Sequence, residues 1–230
     1  MAALGRTKVG GATRYLDVGC GAGMAAAIAA NRGAEVSGID AAEELLAIAR
    51  TRSPNAEFQQ GDIEELPFED NSFDVVAGFN SFQYAGNPGI ALAEARRVAK
   101  PGGTVVILTW GEPEGMEAAG LIGAIKLLLP PPPPGAPGPF ALSDEATLRG
   151  FAQDAGLKPL EVFDVDCPWQ YPDEATALRG SMSAGVVALA INTSGEDAVL
   201  DAFANALTAF KQEDGSYLIG ATFRCLLAEA

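Results

Sequence analysis

The chain has 230 residues, 48% of them hydrophobic, enough to bury roughly 70% of its unfolded surface around one core. Thirty acidic against fifteen basic residues give a net charge of −15 and a pI near 4.3. No basic run offsets that charge, so DNA or RNA is excluded as substrate, and the complete lack of histidine excludes hydrolase triads and histidine-ligated metal sites and removes the commonest general base.

From the N-terminus, Arg6 and Lys8 precede no apolar signal segment. Thr13 to Val18 reads as a strand that runs into Gly19-Cys20-Gly21-Ala22-Gly23, and an Ala-rich helix over 23–31 follows at once. Glycines here permit a tight turn and let backbone amides approach a ligand at the helix N-terminus. Glu35 to Ile39 is a second strand ending in Asp40, with a helix over 41–50 that Pro54 closes. Glu57 to Gln60 is a third, followed by Gly61-Asp62-Ile63. Phe73 to Phe79 and Thr104 to Trp110 are further strands, with a helix over 90–99 between them and Pro88 at its favoured first turn. The alternation predicts a parallel sheet with helices on both faces, whose ligands collect at the carboxyl ends of the strands.

The acids at those ends carry the chemistry. A dinucleotide fingerprint is Gly-x-Gly-x-x-Gly, whereas this loop is Gly-x-Gly-x-Gly with Asp17 two residues before it. A carboxylate there repels a pyrophosphate but suits an ammonium, such as the one on the methionine end of S-adenosylmethionine. Asp40 is placed to accept both hydroxyls of a ribose, or to cap the helix that begins at Ala41; the roles are compatible. Asp62 can accept from an exocyclic amine while the Ile63 amide donates to an adenine nitrogen, or it can cap a turn before Leu66-Pro67. Cys20 reads as a small loop filler more than as a nucleophile.

Together with Pro67-Phe68, Asn71-Ser72-Phe73-Asp74-Val75-Val76 and Arg97-Val98-Ala99-Lys100-Pro101-Gly102-Gly103-Thr104, this ordered set resembles the class I S-adenosylmethionine-dependent methyltransferases, in particular their small-molecule (methyltransferase type 11-like) group. The resemblance covers Arg14 to Trp110 and continues beyond only as element order. It implies an α/β, Rossmann-like, doubly wound seven-stranded sheet, mostly parallel with an antiparallel last strand. It implies S-adenosylmethionine as cofactor, S-adenosylhomocysteine as product, and Asp17, Gly19, Cys20, Gly21, Gly23, Asp40, Ala41, Asp62, Ile63, Asn80 and Gln83 as cofactor-binding residues. Asn80-Ser81-Phe82-Gln83-Tyr84 lacks the Asn-Pro-Pro-aromatic signature of base and amide methylation. Many relatives carry several helices before the first strand; here about a dozen residues do, with Arg6, Lys8 or Arg14 available for the methionine carboxylate.

After Trp110, Met116 to Leu129 reads as an amphipathic helix, Pro130 to Pro134 as a stiff spacer, and Ser143 as the cap of a helix ending at Gly156. Leu160 to Val165 is a sixth strand and Ser216 to Ala228 the last. Pro172 to Ser183 and Gly195 to Lys211 look helical. The expected organisation is one domain over 1–230, with a cofactor-binding half at 1–110 and lid or substrate insertions at 111–142 and 167–215. Phe82, Tyr84, Trp110, Trp169, Tyr171 and Met182 are the expected apolar walls of a substrate pocket, with core packing as the plain alternative for each. No catalytic residue stands out; Tyr84 is the one nearby candidate base. The expected partner is a small-molecule methyl acceptor. No apolar stretch reaches the ~20 residues of a membrane span, and three unpaired-looking cysteines fit a reducing cytoplasm. The competing functions are an NAD-dependent oxidoreductase, disfavoured by Asp17, the glycine spacing and Asp62, and a fold that binds the nucleoside without transferring methyl, as a partner subunit or sensor.

Overall fold

The computed structural model describes residues 2–131 and 138–230. In chain order it forms α1 (Ala2–Gly5), β1 (Arg14–Val18), α2 (Met24–Asn31), β2 (Glu35–Asp40), α3 (Glu43–Arg52), β3 (Glu57–Gln60), β4 (Phe73–Phe79), α4 (Pro88–Val98), β5 (Ala99–Trp110) and α5 (Glu117–Gly123). Then come α6 (Glu145–Asp154), β6 (Lys158–Asp166), β7 (Trp169–Tyr171), α7 (Glu174–Met182), α8 (Gly185–Ser194), α9 (Glu196–Leu207), β8 (Tyr217–Ile219) and β9 (Thr222–Glu229).

A seven-stranded sheet runs in the order β3-β2-β1-β4-β5-β9-β6. The pairings from β3 through β5 are parallel, and β9 runs antiparallel to β5, from Thr104 opposite Glu229 to Trp110 opposite Phe223. Side chains alternate across the sheet as a strand requires. Leu16, Val76 and Ile107 pack with Leu92 of α4 and Leu148 of α6, while Tyr15, Val75 and Val106 pack with Leu4, Ala26 and Ala49 of α1, α2 and α3. The sheet is therefore doubly wound, and its strand order reverses between β1 and β4. A crevice at such a reversal is where open α/β sheets hold ligands.

Three helices, α4, α6 and α7, start where a side chain satisfies a free amide. Asn87 accepts the Ile90 N–H at 3.2 Å with Pro88 in the first turn, and Asp173 accepts the Thr176 N–H at 2.7 Å. The cap of α6 is Asp144, not Ser143 as expected: its carboxylate takes the Thr147 N–H at 2.8 Å. The expected helix over 116–129 is broken after Gly123 into a short 3-10 turn, Lys126–Leu128, in a segment weakened by Gly120 and Gly123. The expected last strand is interrupted at Gly220, so that Tyr217–Ile219 pairs with Trp169–Tyr171 in a small sheet of its own. The expected proline spacer over 130–134 falls mostly outside the described residues.

By its contacts the chain divides into two units: Met1–Trp110 with Pro139–Val165 and Phe223–Ala230, and Gly111–Gly138 with Asp166–Thr222. The first contains the large sheet. The second contains α5, α7, α8, α9 and the β7–β8 pair, with Val199, Phe203 and Leu207 of α9 buried in it.

Candidate functional site

Gly19, Gly21 and Gly23 have φ of 69°, 51° and 73°, the left-handed region that only glycine adopts without strain. Close approach adds to this at two of them. A Cβ on Gly19 would stand 2.5 Å from the Ser81 Cβ, and one on Gly23 would stand 2.8 Å from the Ala49 Cβ. Gly23 thus lets α2 pack against α3, the third of the loop's glycines serving packing and the first serving the crevice. The turn is locked to β2: the Gly19 and Cys20 N–H groups donate to the Ile39 carbonyl, and the Gly21 N–H donates to Asp40 Oδ2 at 2.7 Å. Asp40 Oδ1 meanwhile accepts the Ala42 N–H at 2.9 Å. Asp40 is thus not the helix cap anticipated for it, since the N-cap of α3 is Ala42 and no side chain caps that helix. A carboxylate offers about four acceptor sites, so Asp40 orders two backbone turns and keeps capacity for a ligand.

A cavity of about 650 Å³ opens beside this loop, lined by Gly19, Asp40, Ala41, Gln60, Gly61, Asp62, Ile63, Glu64, Asn80, Ser81, Tyr84, Ala85 and Gly86. That volume is ordinary for a cofactor-sized ligand. Three carboxylates, Asp40, Asp62 and Glu64, face it, and no lysine or arginine is among its walls. Asp62 Oδ1 also accepts the Glu64 N–H at 2.9 Å, the turn-capping role anticipated for it. Asn80 closes the end of β4 with φ of 57°, unusual for a residue other than glycine and a mark of a site under constraint. Gln83, expected at the cofactor, is a wall of neither cavity; it donates from Nε2 to Asn80 Oδ1, while its own Oε1 is buried without a partner.

Asp17 does not face this cavity. Strand alternation turns it to the α2 side, where it lines an adjoining cavity of about 260 Å³ with Leu4, Gly19, Cys20, Met24, Ala25, Ile28 and Phe79. Gly19 is common to both cavities, so the three acids sit around one glycine loop but in two compartments. Asp17 is 1% exposed and accepts the Ala26 N–H at 2.9 Å. Burial raises its pKa to about 7; the Ala26 N–H opposes that rise and the charge of Asp40 adds to it. Burial likewise pushes the Cys20 thiol far up, with Asp17 and Asp40 contributing, so this cysteine is no nucleophile and fills space in the loop.

Other expected residues land elsewhere. Gly21 and Gly23 are walls of neither cavity; they shape the turn. Phe82 is 1% exposed and packs in the core beneath Gly78, so it is a core residue and not a pocket wall. Trp110 is also buried, stacked on Phe223 at 4.6 Å between ring centroids, and its Nε1–H donates to the Tyr84 hydroxyl at 3.1 Å. Tyr84 itself is 59% exposed and lines the larger cavity. Trp169, Tyr171 and Met182 belong to the second unit and line neither cavity, the Tyr171 ring packing against Gly180. Arg14 lies at the amino end of β1, where it donates to the Ser72 carbonyl, and Arg6 pairs with Glu161 over the Phe163 ring. Neither cation, nor Lys8, is among the walls of either cavity. Gln60, Glu64 and Ser81 line the larger cavity without having been anticipated. Gln60 and Glu64 flank the Gly61-Asp62-Ile63 turn, which was the available signal for them.

Residues 16–107 match the family model described as a methyltransferase domain. Over 186 residues the chain is 32% identical to a malonyl-[acyl-carrier protein] O-methyltransferase of Erwinia pyrifoliae, covering 81% of this chain and 67% of that one. The chain belongs to the class I S-adenosylmethionine-dependent methyltransferases. A demethylmenaquinone methyltransferase of Chlorobaculum tepidum is 44% identical over 97 residues, 41% of this chain and 40% of that protein. The chain spans 30 to 42% of the length of the first curated relatives it matches. A solved structure from Bacillus halodurans C-125 has the same fold, with a TM-score of 0.65 at 18% identity, covering 99% of this chain and 96% of that one. The glycine loop that follows β1 lies where the strand order reverses, and Asp40, at the end of β2, lines the same cavity. Among the described residues no helix is long and apolar enough to cross a membrane.

Proposed function

We propose that this chain transfers the methyl group of S-adenosylmethionine to a small, partly apolar acceptor by in-line displacement, with S-adenosylhomocysteine as product. The observation that carries the reading is the larger cavity at the β1–β4 reversal, walled by Asp40, Asp62 and Glu64 and by no basic side chain. Such walls favour a ligand with cationic and hydroxyl groups. They oppose a pyrophosphate, which would need counter-charge, and so weigh against a nicotinamide cofactor.

The residues fit the donor part by part. Asp40 holds ribose hydroxyls with the acceptor capacity left by Gly21 and Ala42. Asp62 and the Ile63 backbone receive the adenine edge. Asp17, in the smaller cavity across Gly19, balances an ammonium group. When bound, the cofactor supplies an electrophilic methyl carbon on a sulfonium. The chain's own task is then to hold the acceptor in line at ~3 Å and to exclude water; alignment of this kind can supply ~7–11 kcal/mol. Demethylmenaquinone methyltransferase and malonyl-[acyl-carrier protein] O-methyltransferase among the relatives both support an acceptor that is small or presented as a small group.

The Tyr84 oxygen already accepts the Trp110 indole N–H. Its own O–H is then the group it offers to a ligand, which suits positioning better than proton removal. With isotopically labelled methyl donor and a panel of phenols, quinols, amines and carboxylates, the wild type is expected to form labelled product. Tyr84→Phe is expected to lose less than about tenfold in kcat, because a general base contributes ~10²–10⁴-fold. Uptake of S-adenosylhomocysteine without product from any acceptor would instead favour a nucleoside-binding partner or sensor.

A further inference from the structure

We infer that Arg97 and Glu94 of α4 are positioning residues for the nucleoside end of the larger cavity. The inference rests on the reading of that cavity as an S-adenosylmethionine site. Residues 61–72 connect β3 to β4 without helix or strand, and the first of them, Gly61 to Glu64, form a wall of the cavity. Backbone bonds within this connection are few: Phe68 N–H to the Leu66 carbonyl at 2.8 Å, and Glu65 N–H to the Asp62 carbonyl at a long 3.4 Å. Something else must hold it.

The Arg97 guanidinium does so with its full complement of five N–H groups. Nε donates to Glu94 Oε1 at 2.7 Å and Nη2 to Glu94 Oε2 at 2.7 Å, a two-pronged pair that fixes the plane of the fork. The remaining donors reach the connection itself: the Leu66 carbonyl at 2.9 Å, the Phe68 carbonyl at 2.8 Å and Asp70 Oδ1 at 2.7 Å. Glu94 Oε2 also accepts the Leu66 N–H at 2.9 Å, so both backbone groups of Leu66 are gripped by the one ion pair. With side chains only 32% and 20% exposed, the pair is partly sheltered from solvent screening. Apolar contacts anchor the same stretch, Leu66 being buried and Phe68 set edge-on to Phe73.

The cavity end is tied to the same helix. Glu64 Oε1 accepts the N–H of Asn87, the residue that caps α4, at 2.9 Å. One rigid helix therefore holds the connection at its start through Asn87 and along its length through Glu94 and Arg97. A loop ordered in advance spares the ligand the entropy of ordering it, so loosening the fork should weaken nucleoside binding even though neither residue touches the cavity. A lysine supplies the charge but not the planar fork that bridges a carboxylate and two carbonyls.

The test is calorimetric titration of wild type, Arg97→Gln, Arg97→Lys and Glu94→Gln with S-adenosylhomocysteine and with adenosine, at a temperature where circular dichroism shows each variant folded. Arg97→Gln is expected to bind both ligands about tenfold more weakly, with faster amide exchange over Asp62 to Glu65, and Arg97→Lys to recover little of that loss. Should Arg97→Gln not fold, Glu94→Gln is expected to weaken both ligands by roughly three- to fivefold. Folded variants that melt earlier yet bind as tightly as wild type would overturn the inference and leave the fork a purely stabilising feature. Failure of wild type itself to take up S-adenosylhomocysteine would remove the reading beneath it, a distinct result.

Discussion

Asp17→Asn will make the ligand-free protein more stable near pH 8 and leave it almost unchanged near pH 4. The reason is the burial of this carboxyl at 1% exposure among apolar walls, which lifts its pKa from 3.8 to about 7. A raised folded-state value means that the native protein holds the proton more tightly than the unfolded chain does. The stability this group contributes is complete below about pH 4. It is lost as pH rises through 7, reaching a penalty of up to about 4 kcal/mol at 1.36 kcal/mol per unit. Asparagine keeps the shape and can still accept the Ala26 N–H, but carries no charge. In a chain of this size about 4 kcal/mol corresponds to roughly 10 °C in Tm. Thermal melts of both proteins across this pH range check it; equal melting temperatures near pH 8 would mean that the carboxylate is not desolvated. The same substitution should weaken S-adenosylhomocysteine binding by about 100-fold near pH 8, because a buried ammonium loses its counter-charge. Wild-type affinity should accordingly rise with pH up to about 7, the ligand favouring the ionised form. A stabilising change that removes binding is the signature of a charge kept for function.

Asp40→Asn is expected to have a comparable effect on affinity by a different route. The carboxylate accepts the Gly21 N–H at 2.7 Å and the Ala42 N–H at 2.9 Å, one on each oxygen. An asparagine can serve only one of them, and its NH₂ would face the other donor. The glycine loop and the start of α3 lose a shared anchor, and the ribose loses charge-assisted acceptors worth ~1.5–3 kcal/mol each. Affinity for S-adenosylhomocysteine should fall about 100-fold. The informative control is a ligand without ribose hydroxyls: wild type should bind it as weakly as Asp40→Asn binds the parent compound, and the two losses should not add. Full additivity would place the hydroxyls away from Asp40. Removing the Asp40 charge should also lower the pKa of Asp17, on which it acts, and so shrink the stability gained from Asp17→Asn.

Much of the first unit was legible because local and long-range signals agree there. β1, β2 and β4 are short, mostly apolar runs that close on glycine, aspartate or asparagine, and α4 carries its own start signal in Asn87-Pro88. The acids at strand ends could be read as site residues because parallel strands bring their carboxyl ends to one rim. That Asp17 would face a separate compartment could have been read from alternation, since Leu16 and Val18 share one face and Tyr15 and Asp17 the other. What could not be read was the fate of residues set by packing. Phe82 is aromatic, next to the site and buried, and only the contact with Gly78 explains which of its two possible roles it takes. In the second unit the signals are weak. α8 is uncharged along its whole length and lacks a capping side chain, and the break at Gly220 that separates β8 from β9 looks in sequence like any glycine within a strand. The five-bond role of Arg97 is likewise invisible before the fold brings α4 against residues 66–70.

Titration of the wild-type protein with S-adenosylhomocysteine, and in parallel with NADH, bears most directly on what a cavity walled by Asp40, Asp62 and Glu64 is for. Saturable heat from the first ligand, none from the second, and loss of the first signal in Asp40→Asn is the expected result. Tight uptake of NADH, or no uptake of S-adenosylhomocysteine by the folded protein, would contradict it.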